Sequence, residues 1–204
     1  MLTLPGIFNE KIPNLLPQDG TLEYFYPFYS FEESEKYFEA LLKNIKWNEE
    51  EINMFGKVHP LPRLTAWYGD AGADYTYSRI TMKANPWITE LAKIKNDIEK
   101  YTHHKFNSVL LNLYRDQNDH VSWHSDDEAK FGDNPTIASL TFGAVRKFQV
   151  KHKFQKDLPT VTLNLEPGSL VVMKGEIQKY WIHRVAPTKI ATGPRINLTF
   201  RNVQ

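Results

Sequence analysis

The sequence predicts a mainly β fold, a double-stranded β-helix (jelly roll) core with flanking helices. Three observations carry that expectation. From residue 107 onward, eight short segments of strand character follow one another, the number a two-sheet jelly roll needs. The breaks between them hold turn residues, including Asp133-Asn134-Pro135, Pro167-Gly168 and Gly193-Pro194, which suit tight reversals. The stretches with helical spacing all lie before residue 107, so they belong to a support rather than to the core.

The elements are expected in this order. Residues 1–20 are dotted with Pro and Gly and read as an arm around the domain. Leu22 to Tyr29 is aromatic-rich and reads as a first strand. Ser30 with Glu33 three residues on is a capping box. Tyr37, Phe38, Leu41, Leu42 and Ile45 then recur at helical spacing, which places an amphipathic helix over 32–46. Residues 51–80 alternate Gly and Pro with aromatics and read as short strands and loops. A second helix is expected to open at Asn85-Pro86, an N-cap followed by proline, with Ile88, Leu91, Ile94, Lys95 and Ile98 along its inner face and margin. The core strands are placed at 107–115, 120–124, 136–142, 146–153, 160–165, 169–174, 181–186 and 195–202. One domain is expected, with 1–50 as arm and support helix, 51–80 as a lid and 107–204 as the core.

Composition narrows the chemistry. The 204 residues are 41% hydrophobic, enough for a packed core. Net charge is +1, so any polyanion binding must rest on local patches. With no cysteine in the chain, disulfides, thiolate metal sites and cysteine nucleophiles are excluded. A metal must take histidine, carboxylate or water. No stretch has the length and apolarity of a membrane span, so a cytoplasmic protein with no membrane partner is expected, nucleoid-associated if bacterial and nuclear if eukaryotic; a monomer is expected.

Trp123-His124-Ser125-Asp126 and the later Trp181-Ile182-His183-Arg184 supply such ligands. Residues two apart on a strand share a face, so His124 and Asp126 can enter one cavity. His183 from a later strand completes two histidines and a carboxylate, the set that holds octahedral iron(II) and leaves three positions open. The competing reading is a surface His–Asp pair and an unrelated core histidine. In Arg195-Ile196-Asn197-Leu198-Thr199-Phe200-Arg201 the polar residues share one face. Two inward arginines make sense if they meet carboxylates; the alternative is the solvated face of an edge strand. Asn112 and Tyr114 also share a face and could bond a small dicarboxylate, or serve as ordinary core groups.

Taken together, Asn112-x-Tyr114, His124-x-Asp126, His183 and Arg195-x-Asn197-x-Thr199-x-Arg201, with Ala138-Ser139-Leu140-Thr141-Phe142-Gly143, resemble the AlkB family of nucleic-acid dealkylating oxygenases. The resemblance covers roughly residues 50–204. Phe55-Gly56-Lys57, Pro62-Arg63, Tyr68-Gly69-Asp70 and Tyr75-Thr76-Tyr77-Ser78 resemble its DNA-repair branch most.

The resemblance implies a double-stranded β-helix with a nucleotide-recognition lid. It implies Fe(II) on His124, Asp126 and His183, and 2-oxoglutarate held by Arg195 and Arg201 with Asn112, Tyr114, Asn197 and Thr199. Tyr75, Tyr77 and Ser78 would line the pocket for a flipped base, with Tyr75 and His124 on its two faces. Asp127 and Glu128 would attract its positive charge. Phe55, with Gly56 and Lys57, would be a finger entering the base stack, and Arg63 would stand beside it. The implied reaction uses O2 and demethylates 1-methyladenine- or 3-methylcytosine-type lesions in single- or double-stranded DNA. It releases formaldehyde, succinate and CO2. An RNA demethylase, a protein hydroxylase of the same chemistry and a silent nucleic-acid-binding jelly roll remain as alternatives. Arg146, Lys147, Lys151, Lys153 and Lys156 are candidate phosphate contacts. The short Phe154-Gln155-Lys156-Asp157 turn departs from the longer basic loop of duplex-acting relatives, and Arg79 stands where a small residue is expected.

Overall fold

The computed structural model describes residues 13–54, 57–77 and 80–204, the side chains of 52–58 and 75–82 excepted. Its strands are β1 (Thr21–Phe25), β2 (Asn48–Met54), β3 (Lys57–Gly69), β4 (Tyr75–Tyr77), β5 (Ile80–Met82), β6 (Ser108–Tyr114), β7 (Val121–His124), β8 (Ile137–Gly143), β9 (Arg146–His152), β10 (Val161–Leu165), β11 (Ser169–Lys174), β12 (Trp181–Val185) and β13 (Arg195–Arg201). Helices α1 (Phe31–Asn44) and α2 (Thr89–Thr102) precede the core, and a single turn α3 (Ile177–Tyr180) leads into β12.

The eight expected core strands, β6 to β13, are present within a residue or so of their predicted ends. They form two facing sheets. The larger runs β1-β11-β8-β13-β6-β3-β2 and the smaller β10-β9-β12-β7. Successive core strands alternate between the sheets except for β9 and β10, which form a hairpin in the small sheet, a connectivity that fits a jelly roll. Strand β13 is not an edge. It pairs with β6 on one side and β8 on the other, and all seven of its residues are buried. The solvated-edge reading of its arginines is therefore wrong.

The two faces of β13 do different work. Ile196, Leu198 and Phe200 join Leu41 and Ile45 of the α1 region and Leu91, Ile94 and Ile98 of α2 in one apolar cluster. Truncating such a residue to alanine costs about 2–5 kcal/mol. The opposite face looks between the sheets and carries the polar residues. Ser30 caps α1 as expected, accepting from Glu33 N–H while Glu33 returns a bond to Ser30 N–H. Gly168 has φ +76, and a Cβ there would collide with the Ser34 side chain and the Tyr29 carbonyl. Its carbonyl accepts from the N–H groups of Phe28 and Tyr29, which seats α1 against the large sheet.

Three expectations are corrected. The first strand stops at Phe25 rather than Tyr29. Proline at 27 offers no N–H to a ladder, and the next two N–H groups turn to Gly168. Helix α2 opens at Thr89, with Ile88 as its N-cap residue. Asn85 instead extends the sheet: its backbone N–H and side-chain amide both donate to the Trp67 carbonyl, and its own carbonyl accepts from Gly69. Residues 57–69 are one long strand rather than several. Pro60 and Pro62 lie before the pairing with β6 begins at Leu64, so they remove no ladder bond on that side.

Candidate active site

The polar interior follows from strand register. Arg195 faces Tyr114, and Asn197 faces Asn112 on β6 and Thr141 on β8; Thr199 faces Ser139. Paired residues on antiparallel strands share a face, so these side chains crowd the space between the sheets. On the small sheet His183 of β12 pairs directly with His124 of β7, their rings 4.3 Å apart. Asp126, just past β7, brings its Oδ2 to 3.8 Å from His183 Nε2. Ligand atoms of His124, Asp126 and His183 all lie within 4.8 Å of one another. The surface-pair alternative for these residues fails, because Asp126 and His183 are buried.

Neighbouring groups fix each of the three. His124 Nδ1 is 2.8 Å from the Ser122 carbonyl. A carbonyl only accepts, so Nδ1 carries the proton and Nε2 keeps a free lone pair. Asp126 donates its N–H to Gln178 Oε1 at 2.9 Å, and its Oδ1 accepts from Arg201 Nη2 at 2.7 Å. Burial pushes the Asp126 carboxyl up, but Arg201, His183 and His124 outweigh it and hold it below the usual range. His183 is pushed down to about 3, first by burial and then by His124. It is therefore neutral at physiological pH, as a metal ligand must be.

The arginines are the second feature. Arg195 is fully buried, with Nη2 donating to Thr141 Oγ1 at 2.9 Å and its guanidinium 4.9 Å from the Tyr114 ring centre. Burial lowers its pKa to about 10. Among the described residues, Nε and Nη1 of both Arg195 and Arg201 have no hydrogen-bond partner. Unmet donors on buried cations are expensive, and an anion between the sheets would satisfy them. Asn197 is held by Ser139 Oγ and the Leu140 carbonyl.

The remaining expected residues are placed less uniformly. Arg63 reaches inward: Nε donates to Asn112 Oδ1 at 2.7 Å and Nη1 to the His120 carbonyl. It thus ties β3 to the strand beneath the site. Asp127 is exposed and already bonded to Ser125 Oγ and to Lys153 Nζ at 3.3 Å. Glu128 acts on nearby Lys130, whose pKa falls to about 8 through burial although Glu128 raises it. Phe55, Gly56 and Ser78, with Arg79, lie outside the described residues, as do the side chains of Lys57, Tyr75 and Tyr77. The basic cluster needs correction. Arg146 is buried and donates to the carbonyls of Asp116, Asp119 and Ala186, so it cannot meet phosphate.

Sequence reasoning missed three supports. Gln178 orients the Asp126 backbone, and nothing in its local sequence marks it. Ser139 and Thr141 were visible in principle, since Ala138, Leu140 and Phe142 alternate with them. Their role needs the register with β13, which local sequence does not contain.

This geometry agrees with what the chain resembles. Residues 21–201 match the family model described as the 2OG-Fe(II) oxygenase superfamily, and the chain belongs to that superfamily. Within it the chain is a member of the AlkB family, close to its DNA-repair branch. It is 43% identical over 187 residues to alpha-ketoglutarate-dependent dioxygenase alkB homolog 3 of Mus musculus, covering 87% of this chain and 65% of that protein. It is 37% identical over 180 residues to DNA oxidative demethylase ALKBH2 of Homo sapiens, covering 84% of this chain and 69% of that protein. The chain spans just under two thirds of the length of the alkB homolog 3 relatives. The solved structure of OsALKBH1 shares the fold, with TM-score 0.63 at 14% identity over 93% of this chain and 100% of that one.

The superfamily implies iron(II) and 2-oxoglutarate, and the residues present fit both. Two imidazoles and a carboxylate converge, and two buried guanidiniums, one of them bonded to that carboxylate, carry unmet N–H donors.

Proposed function

We propose that this chain is an iron(II)- and 2-oxoglutarate-dependent dioxygenase that demethylates N-methylated bases in nucleic acid, DNA before RNA. The observation that carries the reading is the His124, Asp126, His183 cluster beside two buried arginines with unmet donors. A dicarboxylate and a divalent cation together satisfy that arrangement. The names of the relatives support the substrate class.

The division of labour follows from the bonds described. His124 Nε2, one oxygen of Asp126 and His183 would hold the iron. Arg201 keeps Asp126 Oδ1 occupied, which leaves Oδ2 to face the metal. Arg195 and Arg201 would grip the carboxylates of 2-oxoglutarate, with Asn112, Tyr114, Asn197 and Thr199 as supporting polar groups. When bound with oxygen, the cofactor pair supplies the oxidation that hydroxylates the N-methyl carbon, with 2-oxoglutarate leaving as succinate and CO2. A methylated base must leave its stack to reach that point. Phe55 would fill the gap, and Tyr75, Tyr77 and Ser78 would receive the base with His124 opposite. Asp127 and Glu128 would favour a cationic base, the first through exchange of its bond to Lys153. The protein would act as a monomer.

Formaldehyde release tests the reading. 1-Methyladenine and 3-methylcytosine would be presented in single-stranded DNA, duplex DNA and RNA, with iron(II), 2-oxoglutarate and oxygen. DNA substrates should react fastest; no formaldehyde from any of them would overturn the proposal. Phe55→Ala should reduce repair of duplexes more than of single strands, and equal loss on both would remove its wedge role.

A further inference from the structure

Beyond the metal triad the small sheet ends in an aromatic cluster that the reaction does not use. His152, the last residue of β9, is buried. Its Nδ1 accepts from the N–H groups of Phe154 and Gln155 at 3.2 and 2.9 Å. Nδ1 is therefore unprotonated, and Nε2–H donates to Asp19 Oδ2 at 3.1 Å. The first two bonds set the backbone of the β9–β10 turn, the third ties the ring to Asp19, and Phe154 is left 68% exposed. The Phe154 ring lies 6.2 Å from Tyr180 at 80°, and Tyr180 in turn stacks on His152 at 6.0 Å and 17°. Lys179 Nζ stands 4.9 Å from the Tyr180 ring centre, also bonded to Glu176, and Lys156 flanks the turn.

Two facts link this cluster to the site. His152 pairs with Trp181, two residues before His183, while Val150 pairs with His183 itself. Two residues of strand span about 7 Å, so the cluster sits next to the triad along the sheet. Lys153, within the same turn, donates to Asp127 Oδ2 and to the Gln178 carbonyl, and the Gln178 side chain holds Asp126 N–H. Lone exposed apolar residues are ordinary. An exposed phenyl ring held by a fixed turn, backed by a second ring and flanked by lysines beside a nucleic-acid site is the arrangement that stacks unpaired bases.

We propose that Phe154, supported edge-on by Tyr180, is a stacking platform for an unpaired base neighbouring the target base in single-stranded nucleic acid, with Lys156 and Lys179 near enough to meet its phosphates. The proposal rests on the nucleic-acid reading above and adds a strand preference to it. Bases locked in a duplex cannot reach the platform, so it favours single strands.

The test is equilibrium anisotropy of the full chain with two labelled probes, a short unmodified oligothymidine and a blunt-ended duplex of two complementary strands. Phe154→Ala should weaken oligothymidine binding by about ten-fold and leave the duplex nearly unaffected. Phe154→Leu, which keeps apolar bulk, should lose nearly as much, whereas Phe154→Trp should retain wild-type affinity. Unchanged oligothymidine binding in the alanine variant, or an equal loss on both probes, overturns the platform while leaving the nucleic-acid reading standing. Failure of the wild-type chain to bind either probe overturns that reading and the platform with it.

Discussion

Arg146 and Arg195 are both buried against the same tyrosine, their guanidiniums 5.7 and 4.9 Å from the Tyr114 ring centre. Their surroundings differ completely. Arg146 donates to three backbone carbonyls, from Asp116, Asp119 and Ala186, and closes the loops at that end of the barrel. Arg195 donates to one hydroxyl and leaves Nε and Nη1 unmet. The first is part of the scaffold; the second has donors that the scaffold does not use, as the proposed role in holding 2-oxoglutarate requires. Burial and residue type are the same for both, and the count of satisfied donors is what differs.

That contrast can be broken in several ways, beginning where the effect is largest. His183→Ala removes a ligand from the cluster served by Arg201 and should abolish formaldehyde release while the circular dichroism spectrum stays native. Retained turnover would remove His183 from the metal set. Arg195→Met should weaken 2-oxoglutarate binding by about a hundred-fold, the order seen when a buried charge pair loses one partner. The readout is anaerobic titration of the visible charge-transfer band. Without 2-oxoglutarate, the same variant should be as stable as the parent or more so, because an uncompensated buried cation is gone. Arg146→Met should do the reverse. It orphans three carbonyls, so denaturant unfolding should show a loss of about 3 kcal/mol, with 2-oxoglutarate affinity of the folded protein preserved. Destabilisation by Arg195→Met of the size seen for Arg146→Met would erase the distinction.

The smallest effect concerns acid. Asp119 supplies one of the carbonyls that hold Arg146, and its carboxylate accepts from Arg115 N–H and Nε at 2.8 Å. Burial raises its pKa, but the bonds to Arg115 win and hold it below the ordinary value. A depressed folded pKa means stability that is full above the unfolded value of about 3.9 and lost as pH falls through the folded one. Thermal melts below pH 4 should therefore fall less steeply in Asp119→Asn than in the parent, from a lower starting point.

Much of this was legible in the sequence, for identifiable reasons. Core strands such as β13 could be placed because one face meets apolar neighbours and the other differs in character, as in Ile196, Leu198 and Phe200 against Asn197 and Thr199, while β11 reads as a short run apolar on both faces. His124 and Asp126 were legible as a pair two residues apart, and the Ser30–Glu33 cap is a purely local signal. The misses are tertiary. Asn85 looks like a helix cap until the Trp67 carbonyl is seen beside it. Arg146 looks like a surface cation, and only folding surrounds it with carbonyls from two loops. The inward bond of Arg63 Nε to Asn112, too, is a tertiary contact that its place in the chain does not announce. Gln178 carries no pattern at all; its meaning comes from meeting Asp126 across the barrel.

The cross-strand pairing of His124 with His183 also constrains the order of events during synthesis. A nascent chain that has emerged only as far as Asp126 carries two of the three ligands, and the third arrives with β12. The guanidinium that steadies Asp126 comes later still, at Arg201, near the end of the chain. The three expected ligands are therefore together once β12 is in place, and the bond that steadies Asp126 joins them only with β13. A chain with β12 but without β13 would carry all three of those residues while lacking the bond from Arg201 Nη2 to Asp126 Oδ1.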